Sequence, residues 1–373
     1  MRRLQMGIIT EDLKKKMVFI VGPRQVGKTY LSQKIAKKFS DVVYLNYDQP
    51  KDRKIILEQS WIPSTTVLIL DEIHKMNDWK TYIKGVYDTR SEDQVILVTG
   101  SARLDTFKKG GDSLAGRFFV HRLLPFSWSE ISRLPDCKIT FNHLLKRGGF
   151  PEPLLASSDE DADRWRKLYV DGLIREDILD FEKIREIRAI SFLLRMLQER
   201  VGSQLSYSSL ARDVGVSTTT IIKYVNILES LFIVFLVYPY HQKVHRSLKK
   251  EPRLYFYDQG LVKGDDGVKF ENLVGLSLLK HVWDLQDQKG QDIDLKYLRT
   301  KDGKEVDFCL VKDGDVQQMI EVKYSNQNID KNLQYYQKKY GWDAVQVVQE
   351  LRQERVSKTG ILVRDGKKFL KNI

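Results

Sequence analysis

The segment Gly22-Pro23-Arg24-Gln25-Val26-Gly27-Lys28-Thr29 carries the most specific chemistry in the chain. Glycines at both ends let the backbone curl until its N–H groups point inward at a β-phosphate. Lys28 adds a point charge near the β- and γ-phosphates, and the Thr29 hydroxyl can reach Mg²⁺. An apolar run precedes the loop, Met17-Val18-Phe19-Ile20-Val21, and a helical stretch starts at Tyr30. A helix start leaves N–H groups without internal partners, which suits an anion. Gly22 to Tyr30 is therefore the expected binding set for ATP with Mg²⁺, in the form of a phosphate-binding P-loop.

Cleaving a phosphoanhydride also needs a magnesium anchor and an oriented water. Val67-Leu68-Ile69-Leu70-Asp71-Glu72 is an apolar run ending in two acids, about forty residues after the loop, the form of a Walker B element. Asp71 is expected to hold the Mg²⁺ shell, and Glu72 to polarise the attacking water. Further on, Val95-Ile96-Leu97-Val98-Thr99-Gly100-Ser101 brings Thr99 or Ser101 out of a strand end toward the γ-phosphate. An ordinary Thr-Gly-Ser turn reads the same way. Leu114-Ala115-Gly116-Arg117-Phe118 sets one arginine among small and apolar residues. By spacing alone, Arg117 is either an ordinary surface arginine or one that meets the γ-phosphate held by a neighbouring copy.

A second constellation lies far downstream. Asp313-Gly314 is a hairpin signal, and a hairpin centred there brings Asp307 within about one residue of opposite Glu321. Alternation puts Glu321 and Lys323 on one face with Val322 turned to the core, and Glu305, Asp307 and Cys309 on one face of the neighbouring strand. Asp307, Glu321 and the Val322 carbonyl can surround a Mg²⁺ or Mn²⁺ ion, with Glu271 completing the shell and Lys323 beside an activated water. Phosphodiester cleavage needs that chemistry. A solvated strand face produces the same alternation, so the residues leave both readings open.

The elements that must position these groups fall into four stretches. Residues 1–140 read as an α/β nucleotide domain with strands at Val18–Val21, Val42–Leu45, Val67–Leu70 and Val95–Thr99. Residues 141–197 are helical and charged, a lid or linker broken at Gly148-Gly149-Phe150-Pro151-Glu152-Pro153. Residues 198–245 read as a winged helix-turn-helix: a capped helix over Ser206–Val214, a Gly215 turn, a helix over Thr218–Ser230, and a wing-like strand over Leu231–Tyr238. Thr218, Thr219, Thr220 and Lys223 are the exposed groups of the second helix, suited to DNA or to another protein surface. After the basic patch His245–Lys250, residues 252–373 read as a further α/β domain in the order α-β-β-β-α-β.

Composition narrows the class. At 373 residues and 42% hydrophobic the chain suggests two or three folded domains and not a disordered or fibrous one. A formal charge of +12 favours phosphate-rich partners, DNA among them. Two cysteines, Cys137 and Cys309, build neither a disulfide framework nor a zinc cluster. The longest apolar run falls far short of a membrane span and no secretory segment follows Met1, so the expected location is the cytoplasm.

With these motifs in view, and with Pro125-Phe126-Ser127-Trp128, nearly the whole chain resembles a known group of proteins. It is similar to prokaryotic AAA+-like ATPases, often numerous in archaea, whose C-terminal part is a domain of unknown function with a restriction-endonuclease-like (PD-(D/E)xK) fold. Leu70-Asp71-Glu72-Ile73-His74 followed by Trp79 matches the group's Walker B region, although Gln is more usual than His74. The resemblance implies Arg117 as an arginine finger acting in trans within a homo-oligomer, and Thr99 or Ser101 as sensor. It implies a nuclease-like core at Tyr257–Leu261, Phe270-Glu271-Asn272, Glu305-Val306-Asp307 and Glu321-Val322-Lys323. Such folds serve both for cutting DNA and for binding or assembly. The resemblance leaves open whether the C-terminal part is a nuclease or a non-catalytic module of a regulatory ATPase.

Overall fold

The computed structural model describes residues 3–100, 114–135, 137–179, 184–241, 251–325 and 328–373. Ser101 and the basic patch at 245–250 lie outside the described residues. Residues 1–124 with 287–289 form one compact unit, and 125–286 with 290–373 form another. Among the described residues, no helix is long and apolar enough to cross a membrane.

The first unit runs α1 (Met6–Leu13), β1 (Met17–Val21), α2 (Lys28–Ala36), β2 (Val42–Asn46), α3 (Pro50–Glu58), β3 (Val67–Asp71), α4 (Trp79–Asp88), β4 (Val95–Gly100) and β5 (Phe118–Arg122). The strands form one sheet in the order β2-β3-β4-β1-β5. Every neighbouring pair is parallel. β1 and β3 are buried at every position, as near-continuous Val/Ile/Leu runs must be when helices cover both faces. Phe19 anchors the core, its ring edge-on to Phe118 at 5.1 Å between centroids. The fifth strand carries a weak sequence signal, because Phe118-Phe119-Val120-His121-Arg122 ends in polar residues. His121 is nonetheless fully buried, its Nε2 3.0 Å from Asp12 Oδ2.

The second unit opens with α5 (Trp128–Ile131), α6 (Phe141–Arg147), α7 (Pro151–Leu155), α8 (Asp159–Leu179) and α9 (Ile184–Gln198). α10 (Tyr207–Val214) and α11 (Thr218–Ser230) follow, with Gly215 left-handed between them and the Ser217 side chain accepting from the Thr220 N–H. Next come β6 (Val234–Pro239), β7 (Arg253–Phe256), α12 (Asp266–Lys289), β8 (Ile293–Arg299), β9 (Glu305–Lys312) and β10 (Asp315–Ser325). α13 (Lys331–Tyr340), β11 (Asp343–Glu350), β12 (Arg355–Val356), β13 (Leu362–Asp365) and α14 (Gly366–Lys371) end the chain. Eight strands form one mixed sheet in the order β12-β13-β11-β10-β9-β8-β6-β7. β6 pairs antiparallel with β7 and parallel with β8, across the boundary expected near residue 252.

Two register shifts decide what faces what. Asp313 and Gly314 both have positive φ, 53° and 88°, as a tight hairpin turn requires. From that turn alone Asp307 would fall opposite Ile320. An irregularity between Val316 and Gln318 moves the pairing so that Phe308 faces Ile320, which sets Asp307 level with Glu321. A second shift, between Lys296 and Leu298 of β8, corrects an expectation. Cys309 does not share the face of Glu305 and Asp307. It is fully buried with Val306, Val311 and Met319, because the irregular pairing breaks strict alternation along β9.

Replacing Gly314 by alanine puts a Cβ at a left-handed position and should cost about 1–2 kcal/mol. The check is the urea unfolding midpoint, which should fall in Gly314→Ala and recover in Gly314→Asn.

Candidate functional site

The P-loop follows the C-terminal end of β1. Gly22 has φ 149°, and a Cβ there would lie 2.2 Å from the Leu123 carbonyl oxygen, so only glycine fits against the chain leaving β5. Gln25 and Gly27 take φ 58° and 95°, turning the backbone into the start of α2. Lys28 is buried, and its Nζ donates to the carbonyls of Gly22 (3.0 Å) and Pro23 (2.7 Å). Burial pulls its amine down to about 8, against the opposing pull of Glu72 and Asp71. Tyr30 is half exposed on the following turn.

Asp71 ends β3 and gathers three hydroxyls. Thr29 donates to its Oδ2 (3.0 Å), Tyr44 donates to the same oxygen (2.6 Å), and Thr99 donates to Oδ1 (2.5 Å). Parallel pairing of β2, β3 and β4 brings Asp71 level with Asn46 and with Thr99. Glu72 has φ 57°, an unusual conformation for a residue with a side chain, and its N–H donates to the Thr99 carbonyl (3.0 Å). Burial raises its carboxyl, opposed by Lys75 (3.4 Å away) and Lys28. A hydroxyl and a carboxylate at the mouth of a left-handed-capped helix are the donor set that Mg²⁺ with a nucleotide takes, so these residues fit the cofactor.

Arg117 stands elsewhere. It precedes β5, and its carbonyl accepts from the Met17 N–H at the opposite edge of the sheet from the P-loop. The length of β1, about 16 Å, separates it from its own phosphate loop. Its guanidinium forms a two-pronged pair with Asp88 at 2.8 and 3.1 Å.

Sequence reading missed two groups here. Tyr44 gave no signal beyond an aromatic residue in an apolar strand. Arg3 is buried, donating to the carbonyls of Val26 (2.7 Å) and Leu124 (3.0 Å), so the chain start braces the P-loop. A charged residue ahead of the first helix carries no periodic pattern to betray that role.

The structure brings Glu271, Asp307, Glu321 and Lys323 together in the second unit, but with an unforeseen cation. Arg253 on β7 donates from Nη1 to Asp307 Oδ1 (3.1 Å), lies 3.9 Å from Glu271 Oε1, and pairs through Nη2 with Glu305. The Val322 N–H donates to Asp307 Oδ2 (2.9 Å), so Val322 contributes a donor there. Lys323 donates to Glu321 Oε1 (2.7 Å) and lies 3.2 Å from Asp330, while the Asp307 N–H donates to Glu321 Oε2 (3.3 Å). The Tyr255 hydroxyl donates to Glu271 Oε1 (2.8 Å). Both oxygens of Asp307 and of Glu321 are thus engaged by protein donors. Among the described residues, no group of three or more His, Cys, Asp or Glu side chains is arranged to hold a metal ion. The expected Mg²⁺ or Mn²⁺ shell of Glu271, Asp307 and Glu321 does not fit this arrangement.

Burial, with Asp307 beside them, pushes Glu271 up to about 7 and Glu321 up to about 8. Burial works against the charge of Lys323, but Glu321 and Asp330 outweigh it and hold the amine above its ordinary range.

Comparison with known proteins bears on the two units differently. Residues 14–132 match the model of an AAA domain. Residues 138–268 match a domain of unknown function (DUF8612), and residues 266–367 a second one (DUF4143). An uncharacterized protein of Methanocaldococcus jannaschii is 24% identical over 371 residues, covering 89% of this chain and 81% of that protein. An uncharacterized protein of Mycobacterium tuberculosis is 25% identical over 248 residues, covering 66% of this chain; the chain spans 55% of that relative's length. Among solved structures, the Walker-type ATPase of Pyrococcus abyssi has a TM-score of 0.45 at 14% identity, covering 72% of this chain and 95% of that one. The N-terminal unit has a P-loop fold and is similar to AAA domains, and the relatives come from both archaea and bacteria.

The raised carboxyls predict a pH dependence. Glu271 and Glu321 keep protons in the folded chain that the unfolded chain releases near pH 4.5. Their contribution to stability is therefore full below that pH, falls as pH rises, and levels off above about 8. In Glu321→Gln the loss between those limits should shrink, read as a wild-type-minus-variant difference in melting temperature that changes across the window and is flat outside it.

Proposed function

We propose that this protein hydrolyses ATP with Mg²⁺ in its N-terminal unit and uses the cycle to change how its C-terminal unit holds DNA. One observation carries the nucleotide half. Asp71 meets the hydroxyls of Thr29 and Thr99 at the strand edge where the P-loop opens. Bound Mg²⁺ would neutralise charge on the β- and γ-phosphates. Thr29 and Asp71 hold that ion, and the backbone from Gly22 to Gly27 cradles the phosphates. Below about pH 8 the Lys28 amine is charged and meets the transferring phosphoryl group. Glu72 orients the attacking water, with Thr99 fixing the adjacent carboxylate. Ser101 is a second sensor candidate, outside the described residues. Arg117 acts across copies in a homo-oligomer, because within its own chain it sits at the far edge of the sheet.

The DNA half rests on the net charge of +12 and on α10 and α11. Thr218, Thr219 and Lys223 are exposed on α11, the helix assigned to the groove of a winged helix-turn-helix. For the C-terminal core, the alternative of a non-catalytic binding module is the one we favour. The Arg253 contacts disfavour cleavage by Glu271, Asp307, Glu321 and Lys323. On this reading the protein binds duplex DNA with an affinity that drops steeply with salt, and nicks none in Mg²⁺ or Mn²⁺.

Lys28→Ala should lower ATP turnover by on the order of 10²-fold or more. ATP affinity of the wild type should fall as pH rises through about 8, while Lys28→Ala gives a flat profile. Unchanged turnover in pure Lys28→Ala protein would remove this function. Arg117→Ala should also lose turnover. Mixing it with Lys28→Ala should restore part of the rate, since an intact Lys28 then faces an intact Arg117; no recovery would exclude action in trans.

A further inference from the structure

The acidic centre of the second unit contains a cation of its own making. Arg253 is 6% exposed, and its fork reaches Asp307, Glu305 and Glu271 from β7. Its guanidinium also lies 4.9 Å from the centre of the Tyr297 ring, and Glu305 is shared with Arg299. A buried arginine in this setting is costly to place unless carboxylates surround it. Three do so here, from two elements: Glu271 on α12, and Glu305 and Asp307 on β9.

The chain also closes the approach to Glu271. The Gly202 N–H donates to the Leu254 carbonyl (3.0 Å) and the Leu205 N–H to the Pro252 carbonyl (2.8 Å), laying residues 202–205 along β7. Gly202 has φ 73°, and a Cβ there would lie 2.6 Å from Glu271 Oε1. Backbone thus rests directly on the carboxylate that a hydrated ion would approach. On the other side, Lys323 is held between Glu321 and Asp330.

We propose that Arg253 is the resident cation of this centre, occupying the position between Glu271 and Asp307, and that a divalent ion enters only when the guanidinium is removed. The inference rests on the reading of the C-terminal core as non-catalytic, and it assigns the reason. A guanidinium has no exchangeable water and cannot generate a hydroxide nucleophile, whereas it supplies the charge balance and planar hydrogen bonds that hold β7, β9 and α12 in register. Arg253 is a positioning residue, not a catalytic one.

Mn²⁺ alone is the probe, added to the full chain without nucleotide, with melting temperature and bound Mn²⁺ as readouts. Wild type should gain no stability from millimolar Mn²⁺ that depends on Asp307. Arg253→Gln should melt several degrees lower, recover on adding Mn²⁺, and lose that recovery in the Arg253→Gln/Asp307→Asn double variant. Guanidinium ion at sub-denaturing concentration should also raise the melting temperature of Arg253→Ala above that in equal sodium chloride. Should Arg253→Gln not fold, Arg253→Lys keeps the charge without the fork. It should respond to Mn²⁺ at a concentration at least tenfold below any response of wild type. The proposal is overturned if Asp307→Asn abolishes Mn²⁺ binding by the wild-type chain, or if the Arg253 variants respond to Mn²⁺ as wild type does. The nicking assay reads cleavage and this one reads cation occupancy, so the two readings fail separately.

Discussion

The carboxylate of Asp71 is the constraint around which the nucleotide unit is arranged. Three hydroxyls from α2, β2 and β4 donate to its two oxygens. A carboxylate accepting several short hydrogen bonds is fixed in orientation, as a metal ligand must be. The parallel sheet makes the convergence possible. Strands in register end at one edge, so residues far apart in the chain reach the same few ångströms. The P-loop lies at that edge as well, closed by Gly22 against Leu123 and tied by Arg3 through Val26.

The second unit meets a related electrostatic demand in another way. Glu271, Glu305, Asp307, Glu321 and Asp330 are gathered by a hairpin, a long helix and the entry to α13. Neighbouring carboxylates repel one another when buried, so the group must hold protons or take countercharge. Both occur: two glutamates are pushed upward, and Arg253 and Lys323 supply fixed positive charge. The same residues that spell out a metal site in one dimension form a closed network of salt bridges in three. Motif spacing states which side chains meet, and says nothing about a cation arriving from a strand fifty residues earlier.

The two centres differ in how open their chemistry is. At Asp71 and Thr29 the donors lie at a helix start with a left-handed Gly27 before it, and a helix start leaves N–H groups without internal partners. At Asp307 and Glu321 the backbone itself donates inward, through Val322 and Asp307. An arrangement of the first kind suits a ligand that comes and goes. One of the second kind suits a fixed fold.

Much of the nucleotide unit was legible in the sequence because its signals are local. The P-loop needs glycines at set positions for backbone reasons, and buried parallel strands are apolar at every position, so Val18–Val21 and Val67–Leu70 announce themselves. Gly215 closes the helix Tyr207–Val214 and Ser217 caps the helix Thr218–Ser230, although Ser206 makes no capping hydrogen bond, and Asp313-Gly314 marks its hairpin. β5 escaped because His121 is buried through a partner, Asp12, that lies more than a hundred residues away. The tertiary structure alone decided the register of β9 and β10, the countercharge from Arg253, the brace from Arg3 and the distance of Arg117 from its own phosphate loop. Each depends on which strands become neighbours, and a one-residue bulge or a strand order leaves no trace in local composition, since its energy is collected across the sheet and not along the chain.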